Sequence, residues 1–274
     1  IAEILSYPFL VRALAVGVFV SLCASLLGVS LVLRRFSMIG DGLSHVGFGA
    51  LGVAAFLSLP PLYVTLPVVI IAAFLLLRLS ESRHGGDGSI AIISSGALAI
   101  GVIAISVKGV NTDLNSFLFG SILSVSESDA IVSVILSAVT LFVYIVFYHQ
   151  IFATTFDPVF SKATGMRNGT YTTVLSLLTA LTVVVGMRLL GSLLISSLII
   201  FPSMTARKLL RTYRGVCIFS ALESVIAFMI GFVLSYAFSL PTGASIVLVH
   251  LVLYIAASAY GFLSRARLEH MVRK

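Results

Sequence analysis

Residues 34–52 read RRFSMIGDGLSHVGFGALG. Two arginines are followed at once by an apolar, glycine-rich run that contains Asp41 and His45. Residues at i and i+4 lie on one face of a helix, so these two side chains are close enough to share a ligand. A carboxylate and an imidazole inside a membrane helix are costly unless they serve a function. The pair is therefore the first candidate for a functional site.

The composition of the whole chain agrees with a membrane location for this stretch. Of the 274 residues, 59% are hydrophobic and 10% are charged, whereas soluble domains carry about 25% charged residues. No polar stretch is long enough to form a separate soluble domain, so we expect a single transmembrane domain over residues 1–274. The net charge of +7 comes from short basic clusters between apolar runs, which is typical of membrane-protein loops and does not indicate nucleic-acid binding.

Apolar runs near the length of a membrane span recur along the chain. They cover residues 13–33, 39–59, 62–77, 90–107, 130–148, 171–187, 189–206, 215–240 and 242–263. This pattern predicts an all-α, polytopic bundle of eight to nine transmembrane helices. With nine, the lysines and arginines lie mostly on one side, which places the N-terminus outside and the C-terminus inside. Arg188 leaves only a tight turn before residues 189–206, and if that run does not cross, the count is eight and the N-terminus is inside.

The second run is dense in small residues. They are Gly42, Ser44, Gly47, Gly49, Ala50, Gly52, Ala54 and Ala55. Small side chains let helices approach closely in lipid, so we expect this helix at the centre of the bundle.

Asp41 and His45 have the donor atoms of a zinc, manganese or iron site. The alternative is a structural hydrogen bond near the membrane interface. Two ligands are too few for a tight structural site, but a transported ion must also leave. Glu223 and His250 lie deeper in their runs. Each could be a further ligand, could orient a ligand or could be a satisfied core group, and the two could also pair with each other.

After His149 we expect a loop-like insertion that runs to about Thr170, and its part 153–170 reads ATTFDPVFSKATGMRNGT. Asp157 is a good N-cap, Pro158 a good first helical residue and Gly165 a good stop. We expect a short cytosolic helix from Pro158 to Thr164 that exposes Phe160. Such a helix either packs on its own bundle or docks into a groove of a soluble partner.

The sequence contains none of the HExxH, GxxxxGK[ST] or GxSxG motifs. Its one GxGxxG match, GFGALG at 47–52, lies inside the apolar run 39–59 and does not follow a strand pattern, so it does not indicate a dinucleotide site. The chain is therefore not expected to be an enzyme. If transport is active, its energy comes from a partner or from an ion gradient.

Five segments together resemble the ABC-3 permeases, the membrane subunits of bacterial ABC importers for manganese, zinc or iron. In chain order they are DGLSHVGFGALGVA (41–54), NSFLFGSILSVSESD (115–129), TFDPVFSKATGMR (155–167), LLGSLLISSLIIFPSMTARKL (189–209) and LSYAFSLPTGASIVLV (234–249). The third segment is similar to the coupling segment of that family, and the first to its Asp-x-x-Ser-His stretch.

The resemblance implies a type II importer in the bacterial cytoplasmic membrane. Two permease subunits, identical or related, surround a central pathway, each coupled to a cytosolic ABC ATPase, and an extracellular binding protein delivers the metal. Asp41 and His45 line the pathway and contact the ion. Asp157, Pro158, Phe160 and Gly165 belong to the coupling to the ATPase. No permanently bound cofactor is implied, because the metal is cargo and ATP binds the partner subunit.

The metal and the alternatives stay open at this point. One carboxylate and one imidazole do not decide between Mn²⁺, Zn²⁺ and Fe²⁺. A further oxygen from Glu223 would favour Mn²⁺, and a further nitrogen from His250 would favour Zn²⁺. The alternatives are a permease for a metal chelate such as a siderophore or haem, a gradient-driven secondary cation transporter and, with the least support, an intramembrane metalloenzyme.

Overall fold

The computed structural model describes residues 7–80, 87–109, 120 and 127–272. Within these ranges all regular structure is helical. The helices are α1 (Pro8–Leu33), α2 (Ile39–Leu57), α3 (Pro61–Ser80), α4 (Asp87–Lys108), α5 (Glu127–Val146), α6 (Tyr148–Phe156), α7 (Pro158–Ala163), α8 (Asn168–Leu190), α9 (Ser192–Leu209), α10 (Tyr213–Phe238) and α11 (Thr242–Val272). This confirms the predicted all-α membrane bundle.

Among the residues that the structure describes, seven helices are long and apolar enough to cross a membrane: α1, α2, α4, α5, α8, α10 and α11. The predicted count of eight to nine is not confirmed. The apolar part of α3, Tyr63–Leu79, is shorter than these, and Pro67 lies inside that helix. The polar residues of α9 include Arg207 and Lys208 in its last turn, which lower its hydropathy below that of a clear span.

Helix α2 packs on α3, α4, α8 and α9, which confirms its predicted central position. Its glycines explain the close fit to α4. A Cβ atom built on Gly49 would lie 2.4 Å from the carbonyl oxygen of Ala97, and one on Gly52 would lie 2.5 Å from that of Gly101. Only a residue without a side chain lets the two backbones approach this closely.

The turn between α1 and α2 fixes where α2 begins. Arg35 adopts a left-handed conformation with φ of 65°. The N–H of Arg35 donates to the carbonyl of Val32, and that of Phe36 donates to the carbonyl of Leu31 at 2.8 Å. This is the hydrogen-bond pattern of a Schellman motif, with a non-glycine residue at the left-handed position. It ends α1 at the arginines and starts α2 two residues before Asp41.

At the opposite end of the bundle, Arg188 in the last turn of α8 pairs with Asp129 in the first turn of α5, with Nη2 and Oδ1 3.1 Å apart. Gly191, with φ of 91°, then turns the chain directly from α8 into α9. The predicted tight turn after Arg188 is thus present. Of the apolar patch at 116–125, only Gly120 falls within the described residues, and it packs against the backbone of Leu190.

The segment after residue 149 differs from the prediction. We expected a loop-like insertion to about Thr170, but its first part forms α6, which is separated from α5 only by Phe147. Helix α6 buries Ile151, Thr154 and Thr155 against the bundle. This three- to four-residue spacing is that of a helix with one buried face, which overrides the polar character of the segment.

Candidate functional site

Asp41 and His45 form a pair on one face of α2. The carboxylate Oδ2 of Asp41 lies 3.5 Å from Nε2 of His45. Their side chains are 46% and 29% exposed, whereas most of α2 is buried. A tetrahedral ion bound at about 2.1 Å from each atom would hold two such ligands about 3.4 Å apart. The observed spacing therefore suits one shared divalent cation.

Two features hold the pair in place. Asp41 lies in the first turn of α2, where the positive end of the helix dipole stabilises a carboxylate. On the neighbouring face, the Ser44 hydroxyl donates to the Gly40 carbonyl and lies 3.4 Å from the hydroxyl of Ser196 in α9. This contact packs α2 against α9 beside the pair. Nδ1 of His45 is buried and has no hydrogen-bond partner in the part of the chain described.

Within the described ranges, no third side chain completes the site. Among the described residues, no group of three or more His, Cys, Asp or Glu side chains could hold a metal. Glu223 and His250 are therefore not joined to Asp41 and His45 in this structure. An ion held by one oxygen and one nitrogen completes its shell with water, which suits brief binding during passage.

Glu223 and His250 instead pair with each other across α10 and α11. Nδ1 of His250 lies 3.1 Å from Oε1 of Glu223, and their side chains are 0% and 5% exposed. The ring of Phe201 in α9 stacks on the imidazole, with ring centroids 6.3 Å apart. The other polar atoms, Oε2 of Glu223 and Nε2 of His250, are buried without a partner among the described residues. Of the roles that the sequence left open for Glu223 and His250, the structure shows their pairing with each other.

This pairing has a measurable consequence for stability. We expect Glu223→Leu or His250→Leu alone to lower the apparent Tm in detergent, because each strands the other group, at a cost of about 1–3 kcal/mol. The double variant should lose less than the sum of the two, since it leaves neither group buried alone. A thermal unfolding series of all four proteins measures this coupling. Strictly additive losses would show that the two groups do not interact.

The short helix predicted at Pro158–Thr164 is present as α7, which ends one residue earlier than expected, while its cytosolic location stays a prediction. Oδ1 of Asp157 accepts hydrogen bonds from the N–H groups of Val159 at 3.1 Å and Phe160 at 2.8 Å. Gly165 follows with φ of 82°. The side chains of Val159 and Phe160 are 80% and 64% exposed, so α7 presents an apolar knob. The capping roles are confirmed, and the coupling role stays a prediction.

Sequence reasoning missed two residues, Asn168 and Arg34, that hold α7 and the neighbouring α6 to the bundle. Asn168, the first residue of α8, donates from Nδ2 to the Pro158 carbonyl and accepts from the Ser161 hydroxyl, both at 2.6 Å. Arg34 donates to the hydroxyls of Thr154 and Thr172, at 3.0 and 3.1 Å, and so joins the end of α1 to α6 and α8. The one sequence signal for this role of Arg34 in joining helices was its position just before the segment that contains Asp41.

Comparison with known proteins agrees with this architecture. The sequence profile of the ABC 3 transport family matches residues 6–261. The manganese transport system membrane protein MntB of Synechocystis is 31% identical over 271 residues, covering 97% of this chain and 88% of that protein. The high-affinity zinc uptake system membrane protein ZnuB of Haemophilus influenzae is 29% identical, covering 91% of this chain and 96% of that protein.

A solved structure shares the fold over nearly its full length. A chain of PsaBC from Streptococcus pneumoniae, in complex with Fab, superposes with a TM-score of 0.83 at 28% identity. The match covers 96% of this chain and 99% of that chain.

Proposed function

Since the chain belongs to the ABC 3 transport family, we propose that it is the membrane-spanning permease of an ATP-driven importer for a divalent transition-metal ion. Membership of this family makes the chain a transport subunit and not an enzyme. The ion would be Mn²⁺, Zn²⁺ or Fe²⁺, moved from an extracellular binding protein into the bacterial cytoplasm. Relatives named for manganese and zinc support this substrate class.

The observation that carries the proposal is the Asp41–His45 pair. Its 3.5 Å spacing between Oδ2 and Nε2 suits one cation, and it lies partly exposed on a helix that packs against four others. A bare ion needs ligands in the pathway, whereas a chelated metal arrives with its ligands already bound. The pair therefore favours transport of the free ion over that of a siderophore or haem.

The partners follow from the same proposal. The permease, acting as one domain, docks a cytosolic ABC ATPase through the exposed knob of α7 and forms the pathway with a second permease subunit, identical or related. Helices α4 and α11 are the least buried spans and offer the largest uncovered apolar faces for that subunit. ATP stays on the ATPase, and the permease binds no permanent cofactor.

The test is uptake into vesicles that contain the permease, its ATPase and its binding protein. Free Mn²⁺, Zn²⁺ and Fe²⁺ are supplied one at a time, and each metal is also supplied as a siderophore or haem complex. We expect ATP-dependent uptake of at least one free ion and none of the chelates.

Two results would contradict the proposal. Uptake of chelate in preference to the free ion would make the chain a chelate permease. Uptake that persists without ATP and follows an imposed ion gradient would make it a secondary transporter.

A further inference from the structure

A groove of about 590 Å³ lies on the outside of the bundle where α1, α5 and α10 meet. Its walls are mainly apolar and include Leu26, Ile145, Ile218 and Leu222. The side chains of Ile145 and Leu222 are 66% and 59% exposed, so the groove opens toward the surroundings of the bundle. Neither Asp41 nor His45 lines it, and the proposed transport pathway does not use it.

Among the described residues that line this groove, the charged and titratable ring side chains at its surface stand at one end. Arg214 lies in the first turn of α10, and Tyr148 and His149 lie at the start of α6, just beyond the end of α5. The apolar lining residues of α10 follow Arg214 by one to two turns. The groove thus has a cationic mouth and an apolar body. These two parts complement an anionic phospholipid, which has a negatively charged headgroup and apolar acyl chains.

The back wall is preformed. The hydroxyls of Ser30, Tyr144 and Tyr213 lie 3.1–3.3 Å from one another and satisfy each other inside the bundle. The ring of Tyr148 packs on that of Tyr213, with centroids 5.5 Å apart. Because this hydroxyl cluster joins α1, α5 and α10, the groove does not depend on a ligand for its shape.

Arg214 is free to bind an anion. Its side chain is exposed and forms no ion pair with any residue that the structure describes. It belongs to the basic segment 207–214, which the positive-inside rule places at the cytoplasmic surface. Basic pockets between transmembrane helices on that side bind the headgroups of anionic lipids, and tyrosine commonly lies at this depth.

We propose that this groove binds one anionic phospholipid of the cytoplasmic leaflet, with its phosphate at Arg214 and an acyl chain along Ile218 and Leu222. A second permease copy is a poorer occupant, because α4 and α11 are less buried than α5 and α10 and offer larger apolar faces. The groove would hold the lipid beside α6, next to the segment that precedes the α7 knob.

The test is native mass spectrometry of the delipidated permease–ATPase complex after addition of phosphatidylglycerol or phosphatidylcholine. We expect the wild type to retain phosphatidylglycerol preferentially. Arg214→Gln should reduce that preference about fivefold, the effect of one basic residue at an anionic surface. Arg211→Gln is the matched control, because Arg211 is exposed in the same segment and does not line the groove. Ala221→Phe should reduce retention of both lipids by filling the apolar body.

Three outcomes would overturn the inference. Equal retention of the two lipids by the wild type would remove the headgroup site. Equal effects of Arg214→Gln and Arg211→Gln would show that only general surface charge matters. A disulfide between two copies through Leu222→Cys would make the groove a subunit interface. These readouts are binding measurements, so none of them depends on which substrate the permease transports.

Discussion

Asp41→Ala and His45→Ala should each stop uptake of the transported ion while leaving the permease assembled with its ATPase. Each change removes one of the two side chains that can hold the ion, and no third His, Cys, Asp or Glu among the described residues can replace it. Changes beside a metal site cost 10–100-fold in affinity or activity, so loss of one of two ligands should reduce uptake by at least about 100-fold. Radiometal uptake into vesicles measures the effect.

The fold should tolerate both changes, because the two side chains are 46% and 29% exposed and bond mainly to each other. Co-purification with the ATPase checks assembly. Glu127→Ala is the matched control, since it removes an exposed carboxylate from the first turn of another span. Undiminished uptake by both site variants would show that the pair is a structural contact at the membrane interface.

The incomplete ligand set also bears on metal selectivity. A carboxylate oxygen and an imidazole nitrogen can bind Mn²⁺, Fe²⁺ or Zn²⁺. Among these three ions, the intrinsic affinity of such a site is highest for Zn²⁺. In this structure neither Glu223 nor His250 adds the oxygen or nitrogen that would alter that order, because they pair with each other. If Asp41 and His45 are the ligands, discrimination between these metals would come from another step, such as capture by the proposed binding protein. Weak, unselective contact in the permease is compatible with rapid release.

Much of the fold could be predicted from the sequence because the physical signals are local. A run of apolar residues defines a span, and the glycines of α2 define a close helix contact. The number of crossings could not be predicted in the same way. Residues 189–206 read as a span, but α9 extends to Leu209 and combines buried serines with Arg207 and Lys208 in its last turn. The hydroxyls of Ser196, Ser197 and Ser203 donate to carbonyls one turn back in the same helix, and the two basic side chains are exposed. The length of the apolar run alone therefore does not decide whether such a helix crosses the membrane.

The same distinction between local and tertiary signals applies to the candidate site. The spacing of Asp41 and His45 is fixed by one helix, so their proximity followed from i, i+4 geometry. Glu223 and His250 are 27 residues apart and meet only because α10 and α11 pack against each other. Helix α6 is an intermediate case. The spacing of Ile151, Thr154 and Thr155 carried a helical signal, but the polar residues around them obscured it.

Phe160→Glu should weaken association with the ATPase by about 30-fold or more. Phe160 is 64% exposed at the tip of α7, and a buried aromatic anchor in an interface commonly contributes at least about 2 kcal/mol. A charge at that position would have to be desolvated in the groove that receives it. Because the side chain makes little contact with its own bundle, the Tm of the isolated permease should not change. Affinity measured by titrating the purified ATPase against the permease in nanodiscs tests this.

Phe160→Leu is the conservative control and should retain most of the affinity. The mechanical connection can be tested separately with Asn168→Ala, which leaves the knob intact but removes the hydrogen bond that Asn168 donates to the Pro158 carbonyl and the one it accepts from the Ser161 hydroxyl. If α7 transmits closure of the ATPase to the bundle through these bonds, this variant should bind the ATPase normally and transport poorly. Normal binding by Phe160→Glu would mean that α7 packs near the ATPase without anchoring it, and the coupling surface would then have to lie elsewhere on the cytoplasmic side.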